Sequence, residues 1–123
     1  MIKSVISCLS RYLKSQDLVY DLELALREAC SNIVLHAYSG KTTGDIMLKL
    51  SLVPRQSIRL ECIDWGIPFP GFPKQIKRCN PEQESGRGLF IITQIMDSFS
   101  IDSIDNKNIL TMEKNIQEGL WDC

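Results

Sequence analysis

Two short stretches constrain this chain most: Asp64-Trp65-Gly66-Ile67-Pro68 and, further on, Gly86-Arg87-Gly88-Leu89-Phe90. The first puts a carboxylate at the end of an alternating run, Ile58, Leu60 and Cys62 with Arg59 and Glu61 between them, which reads as a half-buried strand. The second opens an apolar helical segment with two glycines. A strand end and a helix start together ask for a mixed fold of strands and helices. A carboxylate can accept a hydrogen bond from the exocyclic amine of a base, and glycine lets a ligand approach the backbone with no Cβ in the way. Bare N–H groups at a helix start, backed by the helix dipole, suit phosphate. Base reader and phosphate cradle together read as a nucleotide site. Taken alone, Asp-x-Gly after a strand is a turn, and Gly-x-Gly is a loop-to-helix joint.

A third element changes the weight of the other two. In Leu26-Arg27-Glu28-Ala29-Cys30-Ser31-Asn32-Ile33-Val34-Leu35-His36-Ala37-Tyr38 and the residues before it, apolar side chains recur at Leu18, Leu22, Ala25, Leu26, Ala29 and Ile33, which is helical spacing. Glu28, Asn32 and His36 stand four apart and form a polar stripe beside the apolar one. In isolation that stripe is a solvated face with a histidine near the helix end. Next to a phosphate site, a carboxylate and an amide oxygen one turn apart could hold a hard cation and a hydroxyl against a phosphate chain.

These three elements, in this order, resemble the N, G1 and G2 boxes of the GHKL (histidine-kinase-like) ATP-binding superfamily, and within it the anti-sigma factor serine/threonine kinases. The resemblance runs from about Leu18 to about Lys114 and is carried by Glu28-Ala29-Cys30-Ser31-Asn32 with His36-Ala37-Tyr38, by Asp64-Trp65-Gly66-Ile67-Pro68-Phe69, and by Gly86-Arg87-Gly88-Leu89-Phe90-Ile91-Ile92. It implies a two-layer α/β sandwich of the Bergerat type, an α+β fold with a mostly antiparallel sheet and helices on one face, the nucleotide lying between helices and lid. It implies ATP and Mg²⁺, with Asn32 ligating the metal through its side-chain oxygen and Glu28 acting as general base. Asp64 would take the adenine amino group, and Gly66 would let the base sit close. Gly86 and Gly88 would present backbone N–H groups to phosphate, and Arg87 would add a cation. His36, Pro68 and Leu89 complete the implied nucleotide-contacting positions. The implied partners are a serine-bearing anti-anti-sigma protein, which accepts the phosphoryl group, and a sigma factor.

Bulk properties agree with a small cytoplasmic signalling domain. At 123 residues the chain reads as one domain, 1–123, and at 44% hydrophobic and 24% charged it can bury a core. A net charge of −1 gives no electrostatic argument for direct nucleic-acid or anionic-membrane binding. No apolar run approaches the roughly 18 residues that span a bilayer. Met1-Ile2-Lys3-Ser4 leads into an amphipathic pattern rather than a signal peptide. The five cysteines include no Cys-x-x-Cys pair, and with a single histidine they argue against zinc. Their odd number suits a reducing compartment, and Cys8, Cys30 and Cys62 read as packing residues.

Along the chain, Ile2, Val5, Ile6, Leu9 and Leu13 make one helical face. Ser15 or Asp17 caps a long second helix that ends near Tyr38. A loop over 39–44 leads to an alternating strand through Ile46, Leu48, Leu50 and Leu52, a turn at Pro54, and the strand that ends at Asp64. A helix is predicted from about 86 to 96, and two strands near 99–104 and 109–116. The stretch 68–85 holds four of the five prolines and is long for a connection in so small a domain. Its place between the glycine motifs corresponds to the superfamily's ATP lid, with Lys74, Lys77 and Arg78 as candidate phosphate contacts.

Two features depart from the family pattern. The family starts with a strand before the first helix, whereas this chain opens almost in that helix; the edge strand is then absent, truncated or replaced by a contact in a homodimer. The final box usually carries a Gly-Thr pair whose threonine helps hold adenine; here Asn108-Ile109-Leu110 occupies the region and the nearest threonine is Thr111. The leading reading is an anti-sigma serine kinase and binding switch. The alternative is a nucleotide-binding regulatory module that acts by sequestration without catalysis. A self-contained histidine kinase is excluded, because the only histidine, His36, lies inside the N box.

Overall fold

The computed structural model describes residues 2–38, 44–67 and 84–122, without the side chains of 36, 37 and 84–87. The stretches 39–43 and 68–83, and with them Pro68, Lys74, Lys77, Arg78 and most of the expected lid, lie outside the described residues.

Three helices lie against one face of a four-stranded sheet. They are α1 (Ile2–Tyr12), α2 (Gln16–Asn32) and α3 (Glu84–Ile95). The strands are β1 (Ile46–Val53), β2 (Ser57–Asp64), β3 (Ser98–Ile104) and β4 (Lys107–Asn115), in the order β1-β2-β4-β3 with every neighbour antiparallel. This is the α+β sandwich that the sequence implied.

Each element follows from its local chemistry. Leu18 N–H donates to Ser15 Oγ at 3.1 Å, so Ser15, not Asp17, is the N-cap of α2, and Asp17 sits in the first turn where the helix dipole favours it. Leu18, Val19, Leu22, Ala25, Leu26 and Ala29 are its buried face. Beyond Asn32 the chain does not stop but widens into a π-helical turn, Ile33–Ala37. The four-residue stripe therefore holds from Glu28 to Asn32 in regular helix, and His36 falls in a turn of different pitch. The β3–β4 hairpin turns on Asp105 and Asn106, both at positive φ (52° and 64°), as a two-residue type I′ turn requires. α3 begins at Glu84, two residues earlier than the glycines suggested. It ends where Lys114 Nζ donates to Ile95 O at 2.7 Å, a cation at the negative end of the helix.

The core lies between helices and sheet. Ile58, Leu60 and Cys62 of β2 and Leu110 and Met112 of β4 share it with α2, with Ile92 of α3, and with Leu9 and Leu13. Strand periodicity puts Asp64 and Asn108 on that same inner face, two residues beyond Cys62 and Leu110. The opposite face is solvated, with Arg59 paired to Glu113 across β2 and β4 at 2.7 Å. The C-terminal segment straps the end of the sandwich: Trp121 is buried, its indole N–H donates to Ile116 O at 3.0 Å, and Lys14 N–H donates to Leu120 O at 2.8 Å.

Candidate functional site

The candidate base-reading half is built at the end of β2. Asp64 is 3% exposed, and its Oδ1 accepts the Gly66 N–H at 3.0 Å, which closes the turn predicted by Asp-x-Gly. The same oxygen accepts a second hydrogen bond, from Asn108 Nδ2 at 2.8 Å. Asn108, 4% exposed, is the direct cross-strand partner of Asp64 in the β2–β4 register. Its Nδ2 also donates to Ile67 O at 3.0 Å, and its Oδ1 accepts the Ser103 hydroxyl at 2.5 Å. Ser103 is in turn the partner of Asn108 in the β3–β4 register, so three polar side chains stand abreast across three strands. Gly66, Ser103 and Asn108 also line an open cavity of about 330 Å³ together with Trp65, Asn106 and Lys107. Thr111 pairs with Glu61 and Ser100, an odd number of residues from Asn108, and so points to the opposite face. It cannot reach Asp64.

A second brace holds the start of the turn. The Tyr38 hydroxyl donates to Asp45 O at 2.6 Å and accepts the Trp65 N–H at 3.0 Å. It thereby ties the end of the π-helical turn to the approach to β1 and to the residue after Asp64. The ring lies over Gly44, where any Cβ would collide with it, so glycine is required there for space.

The candidate phosphate-facing half forms where α2 packs on α3. Glu28 and Asn32 occupy one face of α2, and Gly88 comes down on both. A Cβ at Gly88 would sit 2.9 Å from Glu28 Oε2 and 3.3 Å from Asn32 Nδ2. The observed contribution of Gly88 is thus space. Gly86 is the third residue of α3, within the first turn whose N–H groups have no acceptor inside the helix, and Arg87 and Gly88 follow it. Leu89 is buried beside them. Asn32 is 8% exposed, and its Nδ2 is buried without a hydrogen-bond partner. Such a group costs about 1–3 kcal/mol when it is left so. It is the one buried side-chain polar atom without a partner among the described residues.

Two thiols, Cys30 on α2 between Glu28 and Asn32 and Cys62 on β2 two residues before Asp64, hydrogen-bond to each other. That contact, followed by burial and the charges of Cys30 and Asp64, pushes the Cys62 thiol far up. The same contact draws the Cys30 thiol down against its burial. Both are free cysteines, Cys62 buried in the core and Cys30 partly exposed. Among the described residues no group of three His, Cys, Asp or Glu side chains could hold a metal.

The structure therefore brings Glu28, Asn32 and Gly88 together at one place and Asp64 and Gly66 at another. The side chains of His36 and Arg87, and all of Pro68, lie outside the described residues. The sequence motifs did not single out Ser103, Tyr38 and Gly44 for the parts they play, and Asn108 stood out only as a missing threonine. Its detectable signal was parity: Asn108 alternates with Leu110 and Met112, so a polar residue occupies a core-facing position.

Comparison with known proteins agrees with this geometry. The sequence profile of the histidine kinase-like ATPase domain matches residues 1–114. The chain is 33% identical over 110 residues to the serine-protein kinase RsbW of Bacillus licheniformis, covering 81% of this chain and 66% of that protein. It is 30% identical over 110 residues to the serine-protein kinase RsbW of Bacillus thuringiensis strain Al Hakam, covering 82% and 66%. The chain thus spans just under two thirds of the length of these relatives. Among solved structures it is similar to the Erythrobacter litoralis EL346 blue-light activated histidine kinase, with a TM-score of 0.59 and 16% identity over 80% of this chain and 30% of that one. The separate histidine kinase domain of that protein gives 0.56 and 16% over 79% and 44%. At such identity the structural likeness speaks for the fold alone.

Proposed function

Because the chain belongs to the histidine kinase-like ATPase domain family, we propose that it is a cytoplasmic, ATP-dependent protein serine kinase and anti-sigma regulatory factor. In this reading it phosphorylates a serine on an anti-anti-sigma partner and binds a sigma factor. The observation that carries it is the junction of α2 and α3, where a carboxylate, a buried amide nitrogen with no partner and a missing Cβ converge. A buried group left without a partner is what a ligand-facing side chain looks like in the free protein.

Asp64 would accept the exocyclic amine of adenine, with Gly66 leaving room for the ring. The first-turn N–H groups of α3, Gly86 among them, would donate to phosphate oxygens. Mg²⁺, when bound, would neutralise phosphate charge, and Asn32 fits the task of holding it. A half-turn of the amide exchanges nitrogen for oxygen at the unpartnered position with little change of shape. Glu28 would take the proton of the attacking serine hydroxyl as its oxygen bonds to the γ-phosphorus and the bond to ADP breaks. Phosphoryl transfer asks the protein for alignment, charge neutralisation and a proton acceptor, and these residues supply all three.

No helix is long and apolar enough to cross a membrane among the described residues. The test of function is transfer of radiolabelled phosphate from ATP to the candidate serine-bearing partner, run beside a nucleotide titration. Transfer is the expected result. A protein that binds ATP yet phosphorylates no cognate partner is a sequestering regulatory module instead.

A further inference from the structure

Resting on the reading of this site as an adenine-nucleotide site, we infer that Asn108 is the positioning residue that sets the base reader, with Ser103 orienting it. Asn108 Nδ2 faces a carboxylate oxygen of Asp64 at 2.8 Å and a backbone carbonyl, that of Ile67, at 3.0 Å. Neither of those groups can donate. The amide therefore has only one workable orientation, nitrogen toward β2 and oxygen toward β3, where the Ser103 hydroxyl donates to it at 2.5 Å.

This arrangement acts on Asp64 in two ways. Asn108 Nδ2 and Gly66 N–H both donate to Oδ1, at 2.8 and 3.0 Å, which stops rotation of the carboxylate about its Cβ–Cγ bond. Among the described residues both donors sit on Oδ1, so that oxygen is the tethered one. Asn108 also grips both ends of the turn, the carboxylate of Asp64 and the carbonyl of Ile67, so the backbone at Gly66 is held where a base would pass. A carboxylate held this way accepts only. It suits a purine bearing an amine at the 6 position and gains nothing from one that lacks it. Discrimination of that kind depends on the acceptor being held in place before the ligand arrives. The burial of both side chains, 3% and 4% exposed, keeps water from substituting for either partner.

Asn108 thus does through Asp64 what Thr111, turned to the opposite face, is not placed to do. Asn108→Thr keeps one donor where Asn108→Ala keeps none, so the pair separates hydrogen bonding from packing. Ser103 is exposed, and Ser103→Ala loosens the amide without opening the core.

The experiment measures the affinities of ATP, of purine riboside triphosphate (which lacks the 6-amine) and of inorganic tripolyphosphate for the parent, Asn108→Ala, Asn108→Thr and Ser103→Ala. The parent should prefer ATP over the amine-free analogue by about 10–100-fold, the range of one charge-assisted hydrogen bond. Asn108→Ala should lose most of that preference with tripolyphosphate affinity unchanged, Asn108→Thr should keep much of it, and Ser103→Ala should fall between. An Asn108→Ala protein that retains the parent's ratio overturns the inference. If that variant does not fold, an unchanged ratio in Ser103→Ala overturns it instead. A parent that binds no adenine nucleotide overturns the nucleotide reading itself, a result distinct from a parent that binds ATP and variants that discriminate as it does.

Discussion

Asn32 and Asn108 are both buried, and they are opposites. Asn108 has protein partners on both ends of its amide, in the strands that hold Asp64. Asn32, on the helix that carries Glu28, leaves its amide nitrogen with no partner. Folding alone accounts for the first arrangement, because satisfied polar groups can be buried at little cost. It does not account for the second. The comparison teaches that the two halves of the site differ in preparation. In the proposed reading the base end is finished before a ligand comes, and the phosphate end is left incomplete, at about 1–3 kcal/mol, for a ligand to complete. A reader of bases gains from rigidity, whereas a site of phosphoryl transfer needs groups still free to meet phosphate, metal and hydroxyl.

The largest effect that separates the halves concerns chemistry. Glu28, partly exposed and facing the space left by Gly88, should carry transfer and little of the binding. Glu28→Ala should lower phosphoryl transfer to the partner serine by roughly 10²–10⁴-fold, the range for loss of a general base, with nucleotide affinity nearly intact. Transfer at the parent's rate would remove the general-base assignment and leave the phosphate end a binding surface.

Next comes the contrast between the asparagines, read as stability of the free protein. Leucine has nearly the shape of asparagine and no hydrogen-bonding groups. Asn108→Leu strips donors from a buried carboxylate and a buried carbonyl, so chemical denaturation should show a loss of about 2–4 kcal/mol. Asn32→Leu removes an amide that had an unpartnered end and should be neutral or stabilising by about 1 kcal/mol, while Mg-nucleotide binding is lost. Equal destabilisation by the two substitutions would erase the distinction between finished and unfinished ends.

The third effect lies within the base end. In Asp64→Asn the new amide can turn its oxygen to Gly66 N–H and Asn108 Nδ2, which preserves the turn, and this points its NH₂ toward the base where an acceptor stood. Adenine-nucleotide affinity should fall by about 1–3 kcal/mol with little change in stability. Unchanged calorimetric affinity would take Asp64 out of the site.

These contrasts follow the limits of what the sequence disclosed. Periodicity found α1, α2 and the four strands, because their apolar residues repeat at 3.6 or 2 against a single core. Glu28, Asn32, Asp64, Gly66 and Gly88 were legible as candidates because each sits at a motif whose chemistry is local: a helix face, a strand end, a helix start. Asn108, Ser103 and Tyr38 were not, because their hydrogen bonds depend on cross-strand register or on packing between distant segments, and neither is written in neighbouring residues. Thr111 looked like the nearest substitute for a missing threonine by count along the chain, yet strand alternation turns it away from Asp64. The π-helical turn after Asn32 was invisible for the same reason, since its spacing differs from α-helix by one residue in a segment rich in apolar side chains.

The smallest effect is the most discriminating, because it opposes local helix stability to function at one atom. Gly88 lies inside α3, where alanine in place of glycine favours helix by about 1 kcal/mol. The Cβ so introduced would lie 2.9 Å from Glu28 Oε2 and 3.3 Å from Asn32 Nδ2. The glutamate, at the flexible end of its side chain, can swing away at little cost; the buried asparagine must give by a few tenths of an ångström. The two effects nearly cancel, so thermal unfolding of Gly88→Ala should stay within about 1 kcal/mol of the parent in stability. Displacing both Glu28 and Asn32 from the space they share should nevertheless lower phosphoryl transfer by about tenfold or more, since a misplacement near 1 Å in an aligned site is enough. A Gly88→Ala protein as active as the parent would show that the space between α2 and α3 is packing rather than site. The phosphate end would then have no better claim to a ligand than the base end has.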